Sequence, residues 1–265
     1  MSRTPIFRDL HSNPHQPLIL ANVWDAGGAR LVESLGARAV ATTSAGVAWA
    51  KGYPDGNVMP AQLLAHLAGE IIRAVQVPVT IDVEGGYSDD PSVVAENLRP
   101  IIATGISGIN IEDGAGEMEL LAKKITAIKK IASSEGSDIF VNARTDVYLE
   151  DLAPDNEKPR EVLKRASIYQ NAGADGLFVP GMTGVADIGV VTQGTALPVN
   201  LMASPSLPKL DALVKLNVRR LSSGGTLAQI AYKHLGRLAA SFLKEGDCAV
   251  LKEDAMTYSE LQALF

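Results

Sequence analysis

Eight short, apolar, β-rich runs alternate with eight longer segments of helical period along this chain, and that alternation constrains its fold more than any other feature. The runs are Leu18–Asn22, Ala39–Thr43, Pro78–Val83, Gly108–Glu112, Ile139–Arg144, Gly176–Pro180, Pro198–Met202 and Val218–Ser222. Between and after them the periodicity predicts helices over 27–35, 60–74, 91–104, 117–134, 159–172, 183–193, 206–216 and 226–245. Several runs are apolar almost throughout, as strands of a parallel sheet covered on both faces must be. A helix closing in Gly and then a small linker recurs at Leu35-Gly36-Ala37, Thr104-Gly105-Ile106 and Ala172-Gly173-Ala174, with Asn217 in the same place once. Gly and Asn tolerate the left-handed conformation that ends a helix. Eight strand–helix pairs in 265 residues point to an α/β chain folded as a (β/α)8 TIM barrel. A doubly wound open sheet is disfavoured, because no G-x-G-x-x-G follows the first strand.

No linker or low-complexity stretch divides the chain, so one barrel domain is expected over 1–265, with a helical tail from about 246 to 265. That tail has little reason to pack on the barrel wall alone; either contact with a neighbouring subunit or a simple surface helix is expected. Hydrophobic residues make up 46%, enough for a full core. The 24 Lys and Arg against 30 Asp and Glu give a net charge of −6 with no basic run, which argues against nucleic acid and anionic membrane as partners. The longest uncharged stretch, Ile188–Pro208, is broken by three prolines and does not suit a membrane span. The lone Cys248 excludes an internal disulfide or a thiolate metal site. With no export signal at the N-terminus, a cytoplasmic location is expected.

Chemistry in such barrels gathers at the C-terminal strand ends. Here those ends carry Asn22, Trp24 and Asp25; Ser44; Asp82 and Glu84; Glu112 and Asp113; Asn142, Arg144 and Asp146; and Ser222 with Ser223. Strands at 176–180 and 198–202 end in Pro180 and Met202, which offer little. Asp82 and Glu84, two apart, can point the same way, and Glu112 ends the adjacent strand. Three converging carboxylates repel unless a cation or shared proton compensates. Oxygen-only ligands favour Mg²⁺, with Mn²⁺ as the alternative, held partly through water; the competing reading is that Asp82 caps a turn and Glu112 a helix. None of the four histidines stands at a strand end, which argues against zinc. Arg144 in an acidic mouth is either an internal ion-pair partner or a clamp for a substrate carboxylate or phosphate. No lysine stands at a strand tip, against a Schiff-base aldolase. Lys51-Gly52-Tyr53-Pro54-Asp55-Gly56 is a turn, and Ser222-Ser223-Gly224-Gly225 is either a helix cap or an anion seat.

Thr43-Ser44-Ala45-Gly46, Gly52-Tyr53-Pro54-Asp55, Ile81-Asp82-Val83-Glu84-Gly85-Gly86-Tyr87, Asn110-Ile111-Glu112-Asp113 and Ala143-Arg144-Thr145-Asp146 occur in that order over nearly the whole chain. The ordered set resembles the isocitrate lyase / phosphoenolpyruvate mutase superfamily. The resemblance implies Mg²⁺ around Asp82, Glu84 and Glu112. It also implies that Ser44, Ala45 and Gly46, with Asp82 and Arg144, hold a small 2-oxo acid, and that Asp55 lies near the reacting end. Ser44, Asp55 and Arg144 are the expected catalytic residues. It further implies a homo-oligomer, a dimer or tetramer in which the helix at 226–245 is swapped between barrels.

The chain departs from that pattern in places that bear on activity. The lyases for isocitrate and methylisocitrate carry a catalytic cysteine in a Lys-Cys-Gly-His loop, whereas here Glu112-Asp113-Gly114-Ala115-Gly116 runs almost directly into the next helix. The loop asparagine and lysine of the phosphonomutases are absent. Val179-Pro180-Gly181 replaces a lyase glutamate, and Thr42 an aromatic residue. The resemblance then implies a lyase breaking a C–C bond beside the carbonyl of a small 2-oxo acid through a metal-stabilised enolate, as in oxaloacetate decarboxylation. The alternatives are phosphonomutase or phosphonopyruvate hydrolase chemistry, and a catalytically silent 2-oxo-acid-binding protein. The polar segment Tyr148–Pro159 is a candidate replacement for the missing lid.

Overall fold

The computed structural model describes residues 2–252 and 255–265. Its strands are Leu18–Leu20 (β1), Asn22–Val23 (β2), Val40–Thr42 (β3), Val79–Asp82 (β4), Gly108–Glu112 (β5), Phe140–Arg144 (β6), Gly176–Phe178 (β7), Val199–Met202 (β8) and Arg220–Ser222 (β9). All pair in parallel, in the order β1-β9-β8-β7-β6-β5-β4-β3-β2. β1 and β2 are halves of one strand broken at Ala21, and the break lets one half pair with β9 and the other with β3. Eight strands therefore close on themselves as a TIM barrel, as the alternation predicts.

The helices are Thr4–Ser12 (α1), Ala26–Ser34 (α2), Ser44–Ala50 (α3), Ala61–Ala74 (α4), Pro91–Ala103 (α5), Met118–Ser134 (α6), Lys158–Asn171 (α7), Val185–Gly194 (α8), Leu210–Lys215 (α9), Thr226–Glu245 (α10) and Tyr258–Gln262 (α11). Their ends agree with the pattern of helix-closing glycines: Gly36, Gly105, Gly173 and Asn217 all have φ between +61° and +105°. Each wall helix turns one apolar stripe inward. In α4 that stripe is Leu64, Leu67, Ala68 and Ile71, spaced three and four apart. α9 is shorter than its predicted span because Pro205 and Pro208 hold the chain extended until Leu210.

Two helices were not expected from the strand–helix alternation. α3 is a seven-residue turn of helix directly after β3. α1 closes the N-terminal end of the barrel. Its Phe7, Leu10 and His11, on one face at helical spacing, are buried against Leu18, Leu20 and Phe140. Thr4 Oγ1 donates to the Asp138 carbonyl at 2.7 Å, and Arg8 bonds both Asp138 and Asp175, which fixes α1 to the strand entrances.

α10 begins at the opposite mouth and then leaves the wall: of its residues only Ala228 is buried. Leu227, Ile230, Leu235 and Leu243 are exposed along it, as are Ile19 on β1 and Leu35 beside α2. Beyond α10 the chain forms α11, and its end returns to its own barrel. Arg30 Nε donates to the Leu264 carbonyl at 2.7 Å.

Candidate active site

The strand ends converge on a cavity of about 180 Å³ at the mouth opposite α1. Its polar lining is Asn22, Thr43, Ser44, Asp55, Asp82, Asn110 and Arg144, with Ser222, Gly224 and Gly225 at the start of α10. Its apolar lining is Leu149, Phe178 and Met202, with the Phe178 ring centroid 5.9 Å from the Arg144 guanidinium carbon. A larger hollow of about 380 Å³ lies beside α1 at the other end, but Arg8 and Asp175 there are already paired at 2.6 Å.

Asp82, the last residue of β4, is 7% exposed. Its Oδ1 accepts the Glu84 N–H at 3.1 Å and its Oδ2 the Asn110 amide at 3.2 Å, while its own N–H donates to Thr42 Oγ1 at 2.8 Å. Burial pushes its carboxyl upward; Arg144 opposes and Asp55 adds to the shift.

Glu84 does not stand beside Asp82 as two residues on one strand face would. Its φ is +52°, a left-handed conformation that ends the strand's alternation and turns the side chain away. Glu84 Oε2 accepts the N–H groups of Gly56, at 2.9 Å, and Asn57. Asn57 Oδ1 in return accepts from Gly85 and Tyr87, at 2.9 and 3.1 Å. This clasp brings the loop after α3 against the β4 exit and delivers Asp55 to the cavity. Burial raises Glu84 as well, with Asp55 and Asp82 adding to it.

Glu112 ends β5, with Oε2 2.5 Å from Arg144 Nη1. Burial, reinforced by Asp82, Asp146 and Glu84, outweighs that arginine and pushes its carboxyl up to about 8. It lines a separate hollow of about 130 Å³ with Asp89 and Lys124 rather than the mouth itself. Arg144, at the end of β6, donates Nε and Nη2 to the two oxygens of Asp146 at 2.6 and 2.9 Å. Burial works against its charge, but Glu112 and Asp146 hold it above the ordinary arginine value. Three of its five N–H groups are committed, which leaves one on each terminal nitrogen.

Ser44 and Ala45 open α3 at the cavity edge, but Gly46 lies behind them. A Cβ at Gly46 would come 2.8 Å from Thr43 Cγ2 and 3.2 Å from Ala228, so this glycine allows α3 to pack against α10. Among other strand-end residues, Asp25 caps α2 through Gly28 at 2.6 Å and Asp113 turns away from the mouth. The segment from Tyr148 is seated at the mouth, with the Tyr148 hydroxyl on Asp187 at 2.9 Å and Leu149 facing the cavity.

Asn110, Leu149, Phe178 and Met202 were not among the expected site residues. The last three carry no reactive group, and only their place at the strand ends could have pointed to them. Asn110 stood inside the Asn110-Ile111-Glu112-Asp113 run, one strand step before Glu112.

The donor set suits a hard cation. Asp55 pushes the Asp82 and Glu84 carboxyls upward, Asp82 and Glu84 push up Glu112, and all four side chains offer oxygen. Among the described residues no three acidic, His or Cys side chains are grouped so as to ligate one ion directly. Mg²⁺ needs only one or two carboxylates and keeps its other waters, so Asp82 fits as a direct ligand with Glu84 and Glu112 acting through water.

No helix of the described residues is long and apolar enough to cross a membrane. The phosphoenolpyruvate phosphomutase family profile matches residues 7–243. An uncharacterized protein of Mycobacterium tuberculosis is 34% identical over 97% of this chain and 95% of its own. An oxaloacetate decarboxylase of Bradyrhizobium sp. is 28% identical over 91% of this chain and 88% of its own. A solved structure from Burkholderia cenocepacia, named provisionally as a phosphonomutase, superposes with a TM-score of 0.84 at 42% identity, covering 90% of this chain and 99% of that one. The fold, the ordered motifs and these relatives agree: the chain belongs to the phosphoenolpyruvate phosphomutase family, within the isocitrate lyase/phosphoenolpyruvate mutase superfamily of carbon–carbon lyases and mutases, and is an enzyme.

Proposed function

We propose that the chain is a Mg²⁺-dependent lyase that breaks the C–C bond next to the carbonyl of a small 2-oxo acid, as in oxaloacetate decarboxylation. The observation that carries this reading is the mixed lining of the cavity: Asp55, Asp82 and Arg144 together with Leu149, Phe178 and Met202. Among the described residues Arg144 is the only lysine or arginine lining it. One cation serves the carboxylate beside the oxo group through its two uncommitted N–H groups, with Ser44 and Ala45 at the same edge. The far end of the substrate then meets the apolar residues. A departing carboxylate loses its charge as it becomes CO₂, so such a lining suits decarboxylation, whereas a phosphonate dianion would require further cations.

Bound at Asp82, Mg²⁺ would polarise the 2-oxo carbonyl and stabilise the enolate. Arg144 orients the acid, and Leu149 and Phe178 keep water from the leaving carboxylate. The C3–C4 electron pair moves into the enolate, CO₂ leaves, and a proton arriving through water restores C3. Asp55, held at the cavity by the Glu84 clasp, lies at the edge from which that proton comes. Phosphonomutase or phosphonopyruvate hydrolase activity is the second reading, favoured by the 42% identity to a provisionally named phosphonomutase. A silent 2-oxo-acid-binding protein is the third.

We also infer a homo-oligomer in which α10 is exchanged between barrels. Its exposed apolar residues, and the uncovered Ile19 and Leu35 on the wall, support that reading. Light scattering tests it.

Turnover of oxaloacetate and phosphonopyruvate, each with Mg²⁺ and with chelator, tests the chemistry. Pyruvate and CO₂ from oxaloacetate, lost with chelator and in Arg144→Ala, is the expected result. Phosphoenolpyruvate or phosphate from phosphonopyruvate would establish the second reading. Oxo-acid binding without turnover of either would establish the third.

A further inference from the structure

Consecutive residues at the end of β5 face opposite ways. Glu112 meets Arg144, while the Asp113 side chain turns outward and is wholly buried between β6 and α7. Asp113 Oδ2 accepts Arg165 Nη1 at 2.7 Å and the Tyr169 hydroxyl, both from α7. Its Oδ1 accepts the Asp146 N–H at 2.9 Å. Arg165 is steadied in turn by Glu161 at 2.9 Å, and neither Arg165 nor Tyr169 reaches the cavity. The Asp113 N–H donates to the Arg144 carbonyl at 3.2 Å, and the Asp146 carboxylate grips the Arg144 guanidinium at two points. The contacts close a circuit: Arg144 to Asp146, Asp146 to Asp113, and Asp113 through the chain to Glu112 and back to Arg144.

We propose that Arg165 and Tyr169 are positioning residues for Arg144, acting from the outer wall through Asp113 and Asp146. A carboxylate with both oxygens engaged has one position available, so α7 fixes Asp113. Asp113 fixes the backbone of Asp146, and the paired bonds from Asp146 fix the guanidinium plane. Knitting α7 to the barrel does not require this arrangement, since apolar residues of similar volume do that at least as well as a buried ion pair. Orientation is what the charged set adds. That Arg144 then grips a 2-oxo acid rests on the function proposed above.

Arginine side-chain ¹⁵N NMR on the full-length protein tests the relay without any ligand. The Arg144 Nε–H signal is identified by its loss in Arg144→Lys. In Tyr169→Phe and Arg165→Met that signal should shift and exchange with solvent about tenfold faster, with partial recovery in Arg165→Lys, while melting curves show each variant folded. Oxalate, a planar mimic of the oxo acid, should bind several-fold more weakly in the same order. An unmoved Arg144 signal beside a lowered melting temperature would overturn the proposal and leave α7 as a mere brace. A wild type that binds no oxalate but whose Arg144 signal responds would keep the relay and remove the substrate reading.

Discussion

Arg144 and Asp146 stand two residues apart on the β6 exit and share two parallel hydrogen bonds, at 2.6 and 2.9 Å. Asp146→Asn keeps the size but removes one acceptor and the charge, and it leaves Glu112 as the only carboxylate bonded to that arginine. Losing a charge-assisted bond of this kind costs about 1.5–3 kcal/mol, so oxalate affinity should fall about tenfold or more. Calorimetric titration checks it, and unchanged affinity would show that Glu112 alone orients Arg144.

Mg²⁺ and pH should act together through Glu112. Its carboxyl titrates near 4.5 in the unfolded chain and at about 8 in the folded one. Between those values the folded state holds more protons, so metal-free stability falls as pH rises. The window 6.5–8 lies above the His11 titration, and the Glu112 slope there is at most about 1.4 kcal/mol per pH unit. Saturating Mg²⁺ at about 100 times its Kd should add roughly 2.7 kcal/mol, and more at pH 8 than at 6.5, because it binds the ionised acids. Melting curves with Mg²⁺ and with chelator at the two pH values decide this.

His11 sets the acid limit from the other end of the barrel. Burial pushes its imidazole down to about 3, with nearby Arg220 adding to the shift, while the unfolded histidine titrates near 6.5. Below 6.5 the unfolded chain takes up a proton that the folded one refuses, so stability falls as pH drops toward 3, by up to about 1.4 kcal/mol per unit. Glu112 opposes this slope between 4.5 and 6.5, and below 4.5 carboxylates such as Asp90 and Glu96 add to it, so the His11 contribution is read as the difference between wild type and variant. His11→Leu should flatten denaturation curves in that range; an unchanged slope would assign the acid sensitivity to other groups.

Two glycine-to-alanine changes should move stability in opposite directions. Gly86 has φ +87°, and a Cβ there would lie 2.6 Å from Val94 Cγ1. Gly86→Ala should cost about 2–4 kcal/mol, combining left-handed strain with overpacking, and should loosen the Glu84 clasp. Gly69 lies inside α4 with nothing nearer than 3.9 Å to such a Cβ, so Gly69→Ala should gain about 0.5–1 kcal/mol. Urea unfolding of both variants measures the contrast.

The barrel was legible because periodicity and helix-closing residues report on backbone, and those signals are local. The strand at 108–112 and the helix at 226–245 match their expected bounds. The site was legible as an ordered series of strand-end residues: Ser44, Ala45, Asp55, Asp82 and Arg144 do meet around one cavity. What sequence could not convey is direction. Spacing alone put Glu84 beside Asp82, but a single left-handed residue turned it onto Gly56 and Asn57. Gly46, expected to hold substrate through its backbone, is not among the cavity-lining residues, and its missing side chain lets α3 pack on α10. Pro180 and Met202 looked uninformative because chemistry was sought in reactive groups, whereas Met202, with Leu149 and Phe178, supplies a surface defined by lacking them. Phe7 and His11 gave a helical spacing too short to stand out from the residues before β1.

α1 closes one end of the barrel with Phe7, Leu10 and His11, and above them Asn110, Asn142 and Arg220 fill the lumen. The candidate cavity is thus closed on the α1 side. On the proposed reaction, product would leave by the mouth that admits the substrate, so an organic acid left in the cavity would block the next arrival. On the proposed decarboxylation CO₂ would leave first, and the oxo acid would be the last to depart and a competitor of its own precursor.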